Sequence, residues 1–317
     1  MSSIAPVKQP YYLGIDGGGS KCQVVLTDAS ATVLGKGLGG PANPLRGMEL
    51  TTQSILDATY QALEQAALPA SVIGSLTVGA GLAGVNIPKY HQLFSTWQHP
   101  FAALHLTSDL HAACIGAHQG RDGAVIICGT GSCGLAAVKG QVLEVGGHGF
   151  PYGDSGSGAW FGLQLLQRVL RSKDGLLAPT RMTELLQQAL GITDTVALAT
   201  HFMHASATEY ARLAPLVFDA AEQQDVQALQ IIAEGASHVN AIAKRLLVLE
   251  PPAITLIGGL APKLIPYLDT HIRALLVPAC QPPEFGAIWF AKTADQRAGS
   301  STVINSHAGI SPYILET

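Results

Sequence analysis

The sequence has little charge and no excess of either sign. Only 13% of its 317 residues are charged, against about 25% in ordinary globular domains. A nucleic-acid-binding protein of the usual kind needs a basic field, but 18 Lys and Arg stand against 22 Asp and Glu. Disorder needs low hydrophobicity and high net charge, whereas here the net charge is −4 and the mean hydropathy is +0.28. The composition therefore excludes disorder and predicts no nucleic-acid partner.

The sequence also lacks a long hydrophobic run. A membrane-spanning helix needs about 20 consecutive apolar residues, and the best stretch, residues 124–138, is shorter and contains three glycines. Residues 1–11 have no apolar core of the kind found in a signal peptide. Five cysteines, an odd number, do not form a disulfide framework. These absences predict a cytoplasmic protein with reduced thiols and no membrane partner.

Glycine is abundant, with 35 residues that cluster at a few places. Between the clusters, short apolar runs alternate with helical periodicity. The predicted strands are residues 11–16, 22–27, 31–37, 75–81 and 103–107, and the predicted helices are residues 48–68, 89–97 and 110–118. The order then begins again with strands at 124–128, 134–138 and 141–145, a helical stretch at 157–244, a strand at 253–257 and a helix at 283–293.

The two halves form a weak internal repeat, because each opens with a strand, a glycine turn and a second strand. This order predicts an α/β fold of two lobes, each a mixed sheet flanked by helices, with a cleft between them. The first lobe is expected to span residues 1–119 and the second residues 120–290. Residues 291–317 are expected to form a C-terminal segment that returns to the first lobe, and its end, residues 298–317, has weak periodicity.

Glycine turns often hold phosphate, because their backbone N–H groups are unobstructed. No window matches the G-x-x-x-x-G-K-[ST] loop. Gly129, Gly131 and Gly134 have the spacing of a dinucleotide fingerprint, but that motif must lead into a helix. A strand is predicted after them instead. A protein-kinase glycine loop requires a downstream H-R-D motif, which is absent.

Three other stretches do match a known arrangement. Residues 13–21 (LGIDGGGSK) and 127–132 (ICGTGS) resemble the two phosphate motifs of the actin-like, Hsp70-like and sugar-kinase superfamily, and residues 255–261 (TLIGGLA) resemble its adenosine motif. Within that superfamily the chain resembles the N-acetylglucosamine and glucosamine kinases of the BadF/BadG-type ATPase family. Residues 39–44, 107–113, 129–134 and 146–157 carry this resemblance.

The resemblance implies an actin-like (ribonuclease H-like) ATPase fold and a homodimeric kinase that uses ATP and Mg²⁺. Its expected reaction is phosphorylation of the 6-hydroxyl of N-acetyl-D-glucosamine. D-Glucosamine is the alternative acceptor. A second alternative is the ATPase activator of a radical enzyme, which some members of the family are, and which would need exposed cysteine thiolates for an Fe–S cluster.

The resemblance also implies residue roles. Asp109 would be the general base, and Asp16 would hold Mg²⁺. From position alone, Asp109 could equally cap a helix, and Asp16 could be a turn residue that bonds its own backbone. The residues expected to bind ATP are Gly17, Gly18, Gly19, Ser20, Lys21, Thr130, Gly131, Ser132, Gly258, Gly259 and Leu260.

The sugar is expected to contact Asn43, Asp109, Gly147, His148 and Asp154. The alternative role of Asp154 is to cap the helix predicted to begin near residue 157. His148 departs from the Trp that N-acetylglucosamine kinases often carry, and this departure affects the pocket for the 2-substituent.

Overall fold

The computed structural model describes residues 10–300. Part of the predicted tail, residues 301–317, lies outside the described residues, as do residues 1–9. The strands are β1 (Tyr11–Gly17), β2 (Cys22–Thr27), β3 (Val33–Gly39), β4 (Leu76–Leu82), β5 (Ala103–Ser108), β6 (Gly123–Cys128), β7 (Ser132–Val138), β8 (Gln141–Gly146) and β9 (Ile254–Ile257). The helices are α1 (Met48–Gln65), α2 (Pro88–Ser95), α3 (Asp109–His118), α4 (Gly158–Lys173), α5 (Arg181–Leu190), α6 (Thr195–Phe202), α7 (Ala207–Ala211), α8 (Ala214–Glu222), α9 (Val226–Leu246), α10 (Ala261–Leu264), α11 (Thr270–Arg273) and α12 (Pro283–Ser300).

The strands form two mixed sheets, which confirms the predicted α/β class. The first sheet has the order β3-β2-β1-β4-β5, and the second has the order β8-β7-β6-β9. In both sheets the first three strands in sequence are antiparallel neighbours, and the next strand adds in parallel to the first. A single parallel bridge between Ile254 and Leu276 lies where the second sheet would continue. The weak repeat in the sequence therefore corresponds to a repeated topology.

Two predicted stretches differ from the structure in detail. The helical stretch at 157–244 is divided into the separate helices α4 to α9. Glycines with positive φ, Gly175 and Gly191, follow α4 and α5, as is usual where a helix ends. Polar side chains then cap the next helices, as Asp194 does for α6 and Asp225 for α9. The strand predicted to begin at residue 134 begins at Ser132, so the second glycine turn is tight.

Helices α3 and α12 lie where the two halves meet. Helix α3 packs against β4 of the first sheet and against β6 and β7 of the second, while α12 packs against β1, β4 and α3. Helix α12 can approach the first sheet closely because Gly14 and Gly79 have no Cβ. A Cβ at either position would collide with a backbone carbonyl of the helix. This helix begins at Pro283, before the predicted boundary at residue 291. The predicted bounds of the lobes stay a prediction.

Each sheet has its own hydrophobic core. One buried cluster joins the second sheet to α4, α8 and α9, and another joins the first sheet to α1. A third, small cluster connects α3 to the second sheet through Cys114, Ala117, Val125 and Leu135. Within residues 10–300, no helix has both the length and the apolar composition needed to cross a bilayer.

Candidate active site

The first glycine turn connects β1 to β2. Its backbone is held by two hydrogen bonds, from the Gly18 N–H to the Lys21 carbonyl at 3.0 Å and from the Ala42 N–H to the Gly18 carbonyl at 2.9 Å. A Cβ on Gly19 would meet no heavy atom within 4 Å, and Ser20 is exposed. The turn therefore presents open backbone to the solvent, as a phosphate-binding loop requires.

Asp16 lies on β1 just before this turn, and not in the turn itself. Burial, followed by the charges of Glu284 and Asp109, raises the pKa of the Asp16 carboxyl to about 7, and the charge of Lys21 opposes the rise. Magnesium in phosphate-transfer sites uses one or two carboxylates together with water and phosphate oxygens. Crowded carboxylates with one nearby cation suit such an ion, although residues 10–300 contain no group of three ligating side chains that would hold a metal alone.

Asp109 is the first residue of α3, but it does not cap that helix. The cap is Ser108, whose side chain accepts a hydrogen bond from the His111 N–H at 3.1 Å. The Asp109 Oδ1 accepts from the Leu110 N–H at 2.9 Å. Burial raises the pKa of the Asp109 carboxyl, and this hydrogen bond opposes the rise. The N-cap of α3 is therefore Ser108, and the catalytic role expected for Asp109 stays a prediction.

The second glycine turn connects β6 to β7 and is packed on several sides. The carbonyls of Gly129 and Thr130 accept hydrogen bonds from the first N–H groups of α4, at 2.8 and 3.2 Å. The Ser132 hydroxyl donates to the Ser155 carbonyl at 2.9 Å. A Cβ on Gly131 would lie 2.8 Å from the Asp154 Oδ2. The turn is thus fixed against α4 and against the loop that carries Asp154.

Asp154 adopts a positive φ of 63°, which is uncommon for a residue with a side chain. The cap of α4 is Ser157, whose hydroxyl accepts from the Trp160 N–H at 3.2 Å, so the Asp154 carboxyl does not serve as the cap. Burial raises the pKa of Asp154, while hydrogen bonds from the Ser132 and Gly149 backbone and the charges of two histidines oppose the rise.

The predicted adenosine turn adjoins the second glycine turn. The Leu260 N–H donates to the Cys128 carbonyl at 3.2 Å. Gly258 has a φ of 122°, and a Cβ there would collide with the same carbonyl. Gly259 has open space around it. The strand β9 ends here, beside β6, so both predicted nucleotide turns of the second sheet lie at one edge.

The remaining predicted sugar residues lie on loops. Asn43 caps a short 3₁₀ turn, where its side chain accepts from the Leu45 N–H at 2.9 Å. Gly147 has a φ of 72°, and its N–H donates to the Ser132 carbonyl at 3.3 Å. His148 follows it and is exposed; its charge acts on Asp154.

Cys133 on β7 lies near acidic residues of both halves. Burial raises the pKa of its thiol to about 12, with further contributions from the charges of Asp109, Asp154 and Glu144. The Ser108 hydroxyl lies 3.5 Å from the Glu144 Oε1, which connects the start of α3 to β8. Asp109 of the first half and Asp154 of the second therefore both lie near Cys133.

Sequence reasoning missed three residues of this region. Glu144 lies on β8, His238 lies on α9 near Asp154, and Glu284 lies in the first turn of α12 near Asp16. Glu144 falls just before a quoted motif, at residues 146–157, and could have been noticed there. The other two lie in helices without a motif, and only the fold brings them to the site.

These features define a class. The fold, with two mixed sheets of repeated topology, is the two-lobed fold of actin-like ATPases and related sugar kinases. Each sheet carries a glycine turn, and acidic residues lie where the two halves meet. A ROK-family glucokinase from Streptomyces griseus, solved with glucose and AMPPNP, shares this fold with a TM-score of 0.51, 18% identity, and coverage of 90% of this chain and 99% of that one.

The chain belongs to the BadF/BadG/BcrA/BcrD ATPase family, which it matches over residues 13–274. This confirms the resemblance read from the motifs. The chain is 32% identical to the glucosamine kinase GspK of Vibrio cholerae over 281 residues, which cover 89% of this chain and 95% of that protein. It is 28% identical to the N-acetyl-D-glucosamine kinase of Dictyostelium discoideum over 254 residues, which cover 74% and 80%.

A crystal structure from Chromobacterium violaceum, assigned provisionally as an N-acetylglucosamine kinase, superposes with a TM-score of 0.82 and 31% identity and covers 89% of this chain and 99% of that one. These relatives support an amino-sugar kinase that binds ATP.

Proposed function

We propose that this protein transfers the γ-phosphoryl group of ATP to the 6-hydroxyl of an amino sugar. The observation that carries the proposal is the position of Asp109. Its carboxyl lies at the start of α3 without being the helix cap, near Asp16 and near the second glycine turn. A carboxylate placed there can accept the proton of a sugar hydroxyl. The names of the relatives supply the sugar class.

The reaction needs little covalent help from the protein, because phosphoryl transfer depends mainly on position and charge. Asp109 would accept the 6-hydroxyl proton while the sugar oxygen bonds to the γ-phosphorus and the bond to the β-phosphate oxygen breaks, which releases ADP. Asp16 would hold Mg²⁺, which supplies positive charge to the phosphates when it is bound. Asp154 would orient the sugar through its ring hydroxyls.

The backbone turns would bind the nucleotide. The first turn, with Gly17, Gly18, Gly19, Ser20 and Lys21, would contact the terminal phosphates. The second turn would contact them from the other side through Thr130, Gly131 and Ser132. Gly258, Gly259 and Leu260 would border the adenosine. Closure of the two halves would exclude water from the transferring group.

Two observations favour D-glucosamine over N-acetyl-D-glucosamine as the preferred acceptor. The region around Asp109, Glu144 and Asp154 is acidic, which suits the cationic 2-ammonium group of D-glucosamine. In addition, the curated relative at 32% identity is a glucosamine kinase. This preference reverses the expectation from the motifs, which made N-acetyl-D-glucosamine the acceptor and D-glucosamine the alternative.

The activator alternative has no comparable support. An Fe–S cluster is ligated by several thiolates. Cys22, Cys114 and Cys128 are buried, and burial raises the pKa of each thiol to about 12. The homodimer and the cytoplasmic location stay predictions.

The test is a coupled ADP-release assay with D-glucosamine, N-acetyl-D-glucosamine, N-acetyl-D-mannosamine and D-glucose. We expect the highest kcat/KM with D-glucosamine and the lowest with D-glucose, which lacks the nitrogen. Nuclear magnetic resonance of the product should place the phosphate on the 6-oxygen. No turnover with any of the four sugars would overturn the proposal, and a preference for the N-acetyl sugar would overturn only the choice of acceptor.

A further inference from the structure

The first turn of α12 lies against the two elements that carry Asp16 and Asp109. A Cβ on Gly14 of β1 would collide with the backbone carbonyl of Glu284, and one on Gly286 would collide with the backbone of α3. The start of α12 is thus fixed between β1 and α3 by backbone contact on both sides. Its first side chains are held beside the acids of the site.

Glu284 is the acidic residue of that first turn, and it is only 8% exposed. Among residues 10–295, none of the ion pairs includes its carboxylate. Gly14 and Asp16 lie two residues apart on β1 and so face the same side of the sheet, which is the side on which Glu284 packs. A second carboxylate close to Asp16 adds electrostatic repulsion.

The cation that acts on Asp16 from within the protein is Lys21, which is exposed at the end of the first glycine turn. It is therefore strongly screened by water. A divalent cation brought by the nucleotide would supply the missing positive charge from inside the site. Mg²⁺ keeps several of its waters when it binds to proteins, and such waters need acceptors.

We propose that Glu284 is a positioning residue of the magnesium–nucleotide site, where its carboxylate accepts hydrogen bonds from metal-bound water beside Asp16. The inference rests on the proposed ATP-dependent function and extends it to a residue of the C-terminal helix. Through Glu284, the packing of α12 on the first sheet becomes part of metal binding.

A purely structural role for Glu284 is the competing explanation, since an acidic residue in the first turn stabilises a helix. The two roles differ in what they do to the nucleotide. A structural role changes stability alone. If Glu284 has the metal-water role, removal of its charge should weaken binding of the metal–nucleotide complex. The same change should strengthen binding of the metal-free nucleotide, because a negative charge near the triphosphate has been removed.

The experiment uses the full-length protein, AMPPNP and Mn²⁺, whose binding is followed by electron paramagnetic resonance. Glu284→Gln should weaken Mn²⁺ binding to the AMPPNP-bound protein by about tenfold, the effect usual for outer-shell ligands. It should also tighten binding of metal-free AMPPNP. Glu284→Asp keeps the charge and should lose less. Asp295→Asn is the matched control, because Asp295 lies on the same helix and pairs with His105 at 2.9 Å.

Unchanged Mn²⁺ affinity in Glu284→Gln, or an equal loss in Asp295→Asn, would overturn the inference. If Glu284→Gln does not fold, unchanged affinity in Glu284→Asp overturns it instead. No sugar is present in this measurement. Nucleotide and Mn²⁺ binding without sugar turnover would therefore contradict the proposed function alone, whereas turnover with unaltered metal affinity in the variants would contradict the role of Glu284 alone.

Discussion

The two glycine turns occupy the same place in the two repeated sheets, yet their surroundings differ. The first turn has open backbone at Gly18 and Gly19, although a Cβ on Gly17 would collide with Leu82, and the turn lies near the carboxylates Asp16 and Asp109. The second turn is fixed by N–H groups of α4 and by contact with Asp154, and it adjoins the turn at Gly258, whose φ is 122°.

The two turns therefore differ mainly in packing, because the second turn and its neighbour at Gly258 are held by close contacts whereas Gly18 and Gly19 of the first are open. In the first half, the important groups are ionisable and could lose their charge at constant shape. In the second half, a Cβ on Gly258 would collide with the Cys128 carbonyl, and one on Gly131 would press on the Asp154 side chain. Isosteric charge changes should therefore affect chemistry in the first half, and small additions of volume should affect folding and binding in the second.

The largest expected effect is that of Asp109→Asn in the first half. The amide has the same shape but cannot accept the hydroxyl proton, so kcat should fall by about 10³-fold, within the range usual for general bases. Thermal stability should not fall, because a buried charge near Asp16 is removed. The ADP-release assay and a melting curve measure both. Near-normal turnover would contradict the role of Asp109 and the contrast between the two halves.

Next is Gly258→Ala in the second half. Its φ of 122° is rare for a residue with a side chain, and the Cβ would collide with the Cys128 carbonyl. The free energy of unfolding should fall by about 3 kcal/mol, as measured by denaturant titration. Gly259→Ala is the control, because nothing lies within 4 Å of a Cβ there. Equal stability of the two variants would contradict this account.

Gly131→Ala should have a smaller and more selective effect. Its Cβ would lie 2.8 Å from the Asp154 Oδ2, and this side chain can move aside. Stability should change little, but the displaced carboxylate should raise the sugar KM by about tenfold, as expected for one lost charged hydrogen bond. Gly129→Ala is the control, because its nearest neighbour would be an Ile127 methyl group at 4.0 Å. An unchanged sugar KM would contradict the proposed contact between Asp154 and the sugar.

The sequence predicted the α/β fold class, the order of strands and helices along the chain and the internal repeat, because these follow from local periodicity and from glycine clusters. It could not choose between the capping and catalytic alternatives for Asp109. The structure decides only which residue caps the helix, namely Ser108, and the catalytic role of Asp109 stays a prediction. The same holds for Asp154, where Ser157 is the cap.

Residues that reach the site through long-range packing were beyond sequence reasoning. Glu284 lies far along the chain from Asp16, and nothing near it resembles a motif. Glu284 comes close to Asp16 because α12 packs directly on Gly14, which has no Cβ to keep the helix away. Of the glycines expected to bind ATP, Gly258 adopts a positive φ, whereas those of the two phosphate turns do not.

The smallest expected effect is a difference in pH dependence between the halves. Burial raises the pKa of both Asp109 and Asp154, so each carboxyl takes up its proton at a higher pH than an ordinary aspartate does. Both must be ionised, one to accept a proton and one to accept hydrogen bonds. The value of kcat/KM, which reports the free enzyme, should therefore fall as the pH drops through these raised values. In Asp154→Asn the fall should be shallower, since one ionisation remains. A limb near pH 4, about the usual pKa of an aspartate, or an unchanged slope in the variant, would contradict this prediction.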